Sequence, residues 1–277
     1  MDLYCVMGNP VEHSKSPWIH ARFAELTGQE LHYGKRLIPM DGFAAAVRAF
    51  IAEGGRGCNI TVPFKFEAAA LATQTSERAT LARACNVLSF QGGGIFADNT
   101  DGAGLVNDIQ RNAGLDLSGR HLLLIGAGGA AAGVLGPLLQ AHPASLTVAN
   151  RTLAKAEDLV ARHAALASLQ KTELLAQDLQ GLEGNFDVII NATASSLSGS
   201  GVPVTARTLR PGALAYDMMY GPAAQGFMNW AREHGATARD GLGMLVEQAA
   251  EAFLIWRGVL PPSQQVLAEL RTVMGPS

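Results

Sequence analysis

His121-Leu122-Leu123-Leu124-Ile125-Gly126-Ala127-Gly128-Gly129-Ala130-Ala131 is an apolar run that turns through glycines into an alanine-rich segment. A strand, a tight glycine loop and a helix in that order form the turn that holds a dinucleotide in an open α/β sheet. The spacing Gly126-x-Gly128-x-x-Ala131 has a reason at each place. The first glycine permits the tight turn, the second lets the main chain approach a pyrophosphate, and the small third residue lets the helix pack close to its strand. Free amides at the helix start then face the phosphates.

Around this turn, the segment from Ser118 to about Arg239 has a βα rhythm of its own. Apolar strands are expected at Leu122–Ile125, Leu146–Ala149, Phe186–Asn191, Ala213–Asp217 and Ala236–Arg239. Upstream, a similar rhythm covers the first hundred residues. Strands are expected at Leu3–Met7, Leu31–Ile38 and Gly57–Ile60, and helices at Pro17–Leu26, at Asp41–Ala52 and from Pro63-Phe64-Lys65. Asn86–Phe90 and Ile95–Ala97, joined by Gly92-Gly93-Gly94, read as a hairpin that makes this first sheet mixed. Beyond Gly243 the apolar residues recur at helical spacing to Arg257, Pro261-Pro262 interrupts, and Ser263–Val273 forms a last helix. The fold expected is α/β: an N-terminal open mixed-sheet domain plus a Rossmann-like dinucleotide-binding domain.

The chain has 277 residues, enough for two domains with cores that need neither disulfides nor metals. Its formal charge of −3 and the lack of a Lys/Arg block leave no footprint for nucleic acid. No stretch is long and apolar enough for a membrane span, and the start lacks the pattern of a signal peptide. Cys5, Cys58 and Cys85 are odd in number and lack metal-ligand spacing, so reduced thiols in a cytoplasmic protein are expected, with no metal site. A monomer or homodimer acting on a small molecule is the matching expectation for partners.

The second strand of the dinucleotide domain leads into Asn150-Arg151-Thr152, with Lys155 one turn on. A NAD site usually has a carboxylate here for the ribose hydroxyls, whereas a 2′-phosphate needs donors and positive charge, so this end favours NADP. The bland alternative is that Arg151 and Lys155 are solvated charges. Near the N-terminus, Ser14-Lys15-Ser16-Pro17 sets two hydroxyls before a helix. Ser16 can cap that helix, or the pair can donate to a small carboxylate. Asn59-Ile60-Thr61-Val62-Pro63-Phe64-Lys65 puts polar groups where a strand gives way to a helix. Asp98-Asn99-Thr100-Asp101-Gly102 does the same before another helix, where Asp101 can be a cap. If Lys65 lies beside Asp101, the carboxylate orients the ammonium and the pair can move the proton that accompanies a hydride.

Taken with Asn86, Asn150-Arg151-Thr152 and Asp240-Gly241-Leu242-Gly243-Met244-Leu245-Val246-x-Gln248, these motifs run in order over nearly the whole chain. In them the chain resembles the shikimate dehydrogenases of the shikimate/quinate dehydrogenase family. The resemblance implies a substrate domain from residues 1–103 and 241–277, with an NADP domain of residues 104–240 inserted between. It implies that Ser14 and Ser16 bind a substrate carboxylate and that Thr61, Asn86, Asp101 and Gln248 hold ring hydroxyls. Lys65 and Asp101 would be the catalytic proton-transfer pair, and Tyr220 would lie near the substrate. Gly126, Ala127, Gly128, Gly129, Ala130, Asn150, Arg151, Thr152, Lys155, Met218 and Gly241 would meet the cofactor, Met218 near the nicotinamide. The implied reaction is reversible NADPH-dependent reduction of 3-dehydroshikimate to shikimate. The alternative is a dehydrogenase that also takes quinate or tolerates NAD. Read without the family, Asn86 is equally a turn residue, Gln248 a surface helix residue and Met218 a core methionine.

Overall fold

The computed structural model describes residues 1–193 and 204–275, which divide into two compact units. One comprises Met1–Gly104 together with the chain from Leu245 onward; the other is Leu105–Met244.

In the first unit the strands are β1 (Asp2–Gly8), β2 (Leu31–Leu37), β3 (Gly55–Ile60), β4 (Gln74–Thr75), β5 (Val87–Ser89) and β6 (Phe96–Asp98). They form one sheet in the order β2-β1-β3-β5-β6-β4. β1 is parallel to β2 and β3, while β5 is antiparallel to both β3 and β6, so the sheet is mixed as the glycine-rich hairpin requires. Alternation along β1 sends Cys5 and Met7 to one face, where they pack with Phe43, Val47, Phe50 and Phe64. Tyr4 and Val6 face the other way, against Tyr33, Ala252 and Trp256. Helices α1 (Ser16–Thr27), α2 (Phe43–Ala52), α3 (Lys65–Leu71) and α4 (Glu77–Ala82) fill the connections. α1 ends at Gly28, whose φ of 65° is the left-handed stop that glycine adopts without strain.

The sheet register decides where the polar motifs go. Met7 is level with Ile60, Asn59 with Val87, and Val87 with Asp98. The loops after β1, β3 and β6 and the approach to β5 therefore all leave from one edge of the sheet. Short main-chain bonds fix this edge: Ile60 N–H donates to the Asn86 carbonyl at 2.8 Å and Asn86 N–H to the Asp98 carbonyl at 3.1 Å.

In the second unit β7 (His121–Ile125), β8 (Ser145–Asn150), β9 (Glu173–Asp178), β10 (Phe186–Asn191), β11 (Leu209–Asp217) and β12 (Thr237–Arg239) are all parallel, in the order β12-β11-β10-β7-β8-β9. The order reverses between β7 and β10, the switch point at which dinucleotides bind in such sheets. α5 (Asp101–Asn107) carries the chain from the first unit into the second and continues as a π turn over Asp108–Asn112. α6 (Gly129–Gln140), α7 (Leu153–Gln170) and α8 (Gln225–Glu233) accompany the strands. α9 (Leu242–Arg257) carries the chain back, and α10 (Ser263–Met274) closes it.

Three elements escape the sequence reading. β9 is an edge strand whose residues are mostly exposed or half-buried, so its apolar signal is weak. β4 has two residues, and α4 has six and is capped by Ser76, whose Oγ accepts from Ala79 N–H. β11 also begins earlier than expected, at Leu209, because the parallel ladder carries past Pro211-Gly212.

Candidate active site

The polar edge of the first unit gathers residues far apart in sequence. Lys65 is the first residue of α3 and Asp101 the first of α5, so each side chain leaves a helix start near the ends of β3 and β6. The Lys65 ammonium donates to Asp101 Oδ2, and only 17% of its side chain is exposed. It is not the solvated surface lysine that composition alone allows. Asp101 does not act as a helix cap through its carboxylate. Its N–H is instead taken by Asn99 Oδ1 at 3.1 Å, which leaves Oδ1 of Asp101 to accept from Asn86 Nδ2 at 2.9 Å.

Asn86 is the hub of this edge. Buried just before β5, its Nδ2 also lies within hydrogen-bonding distance of Thr100 Oγ1 and Gln248 Oε1, at 3.0 and 3.1 Å. Its Oδ1 accepts from Thr100 N–H at 2.8 Å. Gln248, on α9, is likewise buried, and its Nε2 donates back to the Leu245 carbonyl. Gln248 is not the surface helix residue open to it in sequence; Asn86 does sit at a bend before β5, but there it is buried and bonded through its side chain. An amide has two hydrogens, so Asn86, facing three acceptors, is shared among partners that a hydroxylated ligand can satisfy in turn.

Thr100 completes the hub, with its hydroxyl donating to the Gln248 carbonyl at 3.0 Å. It stands inside the motif around Asp101, but nothing in its local sequence marks its hydroxyl as functional. Below it, Asp98 takes both Nε and Nη2 of Arg78 at 2.7 Å, and its Oδ1 accepts from Ser76 Oγ as well. Burial alone would raise the Asp98 carboxyl. The Arg78 guanidinium outweighs that and holds it below the usual carboxylate range.

Ser14 and Ser16 sit beside one another at the loop after β1. Ser16 N–H and Oγ both lie 3.2 Å from Ser14 Oγ, with the amide donating to it. Ser16 is not the cap of α1: it is the first helical residue, with Lys15 before it and no side-chain cap. Thr61 follows β3 directly and is half-buried, with its N–H on the Met7 carbonyl at 2.9 Å. Behind the serines, Tyr33 donates its hydroxyl to Asn59 Oδ1 at 2.6 Å, and Asn59 Nδ2 donates to the Asn86 carbonyl. Tyr33 lies in an ordinary-looking strand, so nothing in the sequence marked it.

The second unit holds the glycine turn at its switch point. Gly126 has φ +109°, the conformation that demands glycine, and a Cβ there would also be tight, 3.1 Å from Thr193 Cγ2. Gly128 precedes the first helical residue of α6, and a Cβ there would meet nothing within 4 Å, which leaves the approach to the helix amides open. Gly128 is exposed, with Ala127, Gly129 and Ala130 half-buried around it, while Ala131 is sealed against the strand. At the end of β8, Asn150 Nδ2 donates to the Thr152 carbonyl at 2.9 Å. Arg151, Thr152 and Lys155 are exposed, and Arg151 and Lys155 have no ion-pair partner among the described residues. Amides at a helix start and a free cationic strand end fit a dinucleotide with an extra phosphate.

After β11, Met218, Met219 and Tyr220 are half-buried, so Met218 is not a core methionine. Burial raises the Tyr220 hydroxyl above 10, which keeps it a neutral donor. Gly241 is buried after β12, and its N–H donates to the Met219 carbonyl at 2.8 Å.

Family models match in three stretches. Residues 6–88 match a shikimate dehydrogenase substrate binding domain, residues 108–199 a shikimate / quinate 5-dehydrogenase, and residues 241–271 a shikimate 5′-dehydrogenase C-terminal domain. The chain is 71% identical over 273 residues to a shikimate dehydrogenase (NADP(+)) of Acidovorax sp. strain JS42, covering 99% of this chain and 97% of that one. Among solved structures, an Ael1 enzyme from Pseudomonas putida superposes with TM-score 0.89 at 46% identity, over 98% of both chains. A shikimate 5-dehydrogenase from Thermus thermophilus in complex with NADP(H) and shikimate superposes with TM-score 0.82 at 29% identity, over 98% of this chain and 99% of that one. The two sheets, the ordered motifs and these likenesses agree: the chain belongs to the shikimate dehydrogenase (NADP(+)) family.

Proposed function

We propose that this chain reduces the ring ketone of 3-dehydroshikimate with NADPH and a proton to give shikimate and NADP⁺, reversibly. The observation that carries the reading is the Lys65–Asp101 pair within a buried set of amides and hydroxyls. Binding alone requires no ammonium held by a carboxylate, whereas a carbonyl that becomes an alcohol needs a proton at its oxygen.

The cofactor, when bound, supplies the hydride. Everything else falls to the protein. Ser14 and Ser16, two adjacent hydroxyl groups, would hold the substrate carboxylate. Thr61, Asn86, Asp101 and Gln248 would hold the ring hydroxyls, and Tyr220 would add a neutral donor. Lys65 would stabilise the charge that grows on the ketone oxygen and deliver the proton there, kept in line by Asp101. In the reverse direction the same group would receive the proton of the alcohol.

Gly126, Ala127, Gly128, Gly129 and Ala130 would cradle the pyrophosphate. Asn150, Arg151, Thr152 and Lys155 would take the 2′-phosphate, and Met218 and Gly241 would meet the nicotinamide. The first unit would thus be the substrate domain and the second the NADP domain. No helix among the described residues is long and apolar enough to cross a membrane. Cys5, Cys58 and Cys85 are free and buried, which suits the reducing cytoplasm we assign to the protein.

Initial rates measured with NADP or NAD against shikimate or quinate test the reading. NADP with shikimate should have the highest kcat/KM by a wide margin. Equal or faster turnover of quinate would replace the substrate assignment, and no turnover of either would overturn the reading.

A further inference from the structure

Asp108 is a fully buried carboxylate with an internal cation in the second unit, and no step above uses it. It opens the π turn that continues α5, with no exposure to solvent. Its Oδ2 accepts from Arg239 Nε at 2.9 Å and from the Tyr216 hydroxyl at 2.8 Å. Its Oδ1 accepts from Arg239 Nη2 at 2.5 Å and from Asn112 Nδ2 at 3.0 Å. Both oxygens are therefore filled by donors in fixed directions, the condition under which a buried charge rigidifies its surroundings. The hydrogen bond to Asp108 raises the Arg239 guanidinium further above its ordinary value.

Tyr216 and Arg239 are register partners on the neighbouring parallel strands β11 and β12. Two residues beyond Tyr216 is Met218, and two beyond Arg239 is Gly241. The two strand ends are also tied to each other. Gly241 N–H donates to the Met219 carbonyl, and a Cβ on Gly241 would run into the Met218 main chain. Farther along, a Cβ on Gly243 would run into the Asp108 carboxylate itself, so the start of α9 is seated on the same group. One buried carboxylate thus bonds to both of the strands from which these segments leave and packs against the start of α9.

We propose that Asp108 is a positioning residue for hydride transfer: through Tyr216 and Arg239 it holds Met218 and Gly241 at the height that fixes how the nicotinamide ring is presented. The proposal rests on the reading that Met218 and Gly241 meet that ring. Asp108 touches neither substrate nor cofactor in this scheme. A loss of its grip should impair the angle of transfer and spare binding of the rest of the dinucleotide, which is held at Gly126–Ala130 and Arg151.

The experiment compares Tyr216→Phe, Arg239→Lys, Arg239→Met, Asp108→Asn and Met218→Ala in the full-length enzyme. It reads kcat, the NADPH dissociation constant by cofactor fluorescence, and the isotope effect with NADPH deuterated at the transferred position. Tyr216→Phe removes one hydroxyl and is the variant expected to fold in every case. Misplacement by fractions of an ångström predicts kcat lower by about 10- to 100-fold in Arg239→Met and by less in Tyr216→Phe and Arg239→Lys. The isotope effect should rise in each as the transfer step becomes limiting, with NADPH affinity within about threefold of wild type. An unchanged isotope effect in Tyr216→Phe and Arg239→Met, whether kcat falls or not, would overturn the positioning role in favour of a structural one. If those two leave it unchanged while Met218→Ala raises it, Asp108 loses the role and Met218 keeps its place at the cofactor. If Met218→Ala also leaves it unchanged, the assignment of that segment to the nicotinamide fails and the proposal fails with it.

Discussion

Asp101 divides its two carboxylate oxygens between an ammonium and an amide: Oδ2 accepts from Lys65 and Oδ1 from Asn86. One oxygen can follow a proton at Lys65 while the other remains anchored through Asn86 to Thr100 and Gln248.

Lys65→Ala should lower kcat about 10²–10⁴-fold, the usual scale of general acid–base help, with NADPH affinity nearly unchanged. Asp101→Asn should fall in the same range, and the double variant should be little worse than the poorer single one, because the two groups act as a unit. Steady-state rates and cofactor fluorescence decide it. A large rise in shikimate KM at unchanged kcat would make Lys65 a binding residue.

Arg151→Ala should weaken NADP selectively. An exposed guanidinium with no internal ion pair has its charge available for a 2′-phosphate, and loss of that charged contact costs about 1.5–3 kcal/mol, or roughly 10- to 100-fold in KM for NADP. The NAD rate should barely move. Equal losses with both cofactors would remove Arg151 from the phosphate site.

Ser14→Ala and Ser16→Ala should each raise the KM for shikimate and leave kcat nearly as it was, because a ground-state contact to the carboxylate persists through the reaction. Ser16→Ala should not melt much lower, since the Ser16 side chain caps no amide of α1, whereas Ser14→Ala also loses the bond from the Ser16 N–H and should melt slightly lower. A sharp fall in thermal midpoint at constant KM would reverse the assignment.

His20 provides a stability prediction with a defined sign. Its ring is fully buried and stacked on Tyr33 at 4.3 Å, and neither nitrogen has a well-aligned hydrogen-bonding partner among the described residues. Burial outweighs the nearby Asn59 side chain and pushes its pKa down from 6.5 to about 3. A depressed pKa in a base means that the unfolded chain takes up the proton first, so the native state is favoured above pH 6.5 and loses that advantage as the pH falls toward 3. The slope is about 1.4 kcal/mol per pH unit for one proton. Lowering the pH from about 6 to about 4 should therefore destabilise the wild type by about 2–3 kcal/mol more than His20→Phe, which keeps an aromatic ring but cannot titrate. Chemical denaturation at a series of pH values measures the difference, and parallel profiles for the two proteins would refute this account.

What could be read along the chain is what local physics decides. The β7–Gly126–α6 turn declares itself because strand, φ-permissive glycine and helix are contiguous, and the absence of a carboxylate beside Arg151 is equally local. Lys65, Asp101, Asn86 and Gln248 could be singled out as residue types, and the resemblance assigned them roles. Their meeting is a tertiary fact. Asn86 and Gln248 are 162 residues apart, and only the register of β3, β5 and β6 together with the placement of α9 brings them within 3.1 Å. Tyr33 and Thr100 joined that edge without a signal, because a hydroxyl in a strand or loop reads the same whether it faces water or a partner. The edge strand β9 was lost for the converse reason, as it buries too little to show a pattern. Asp108 and Arg239 are 131 residues apart, and the local sequence of neither marks it as buried. A buried charge pair depends on two distant groups being desolvated together, and desolvation is decided by the packed fold.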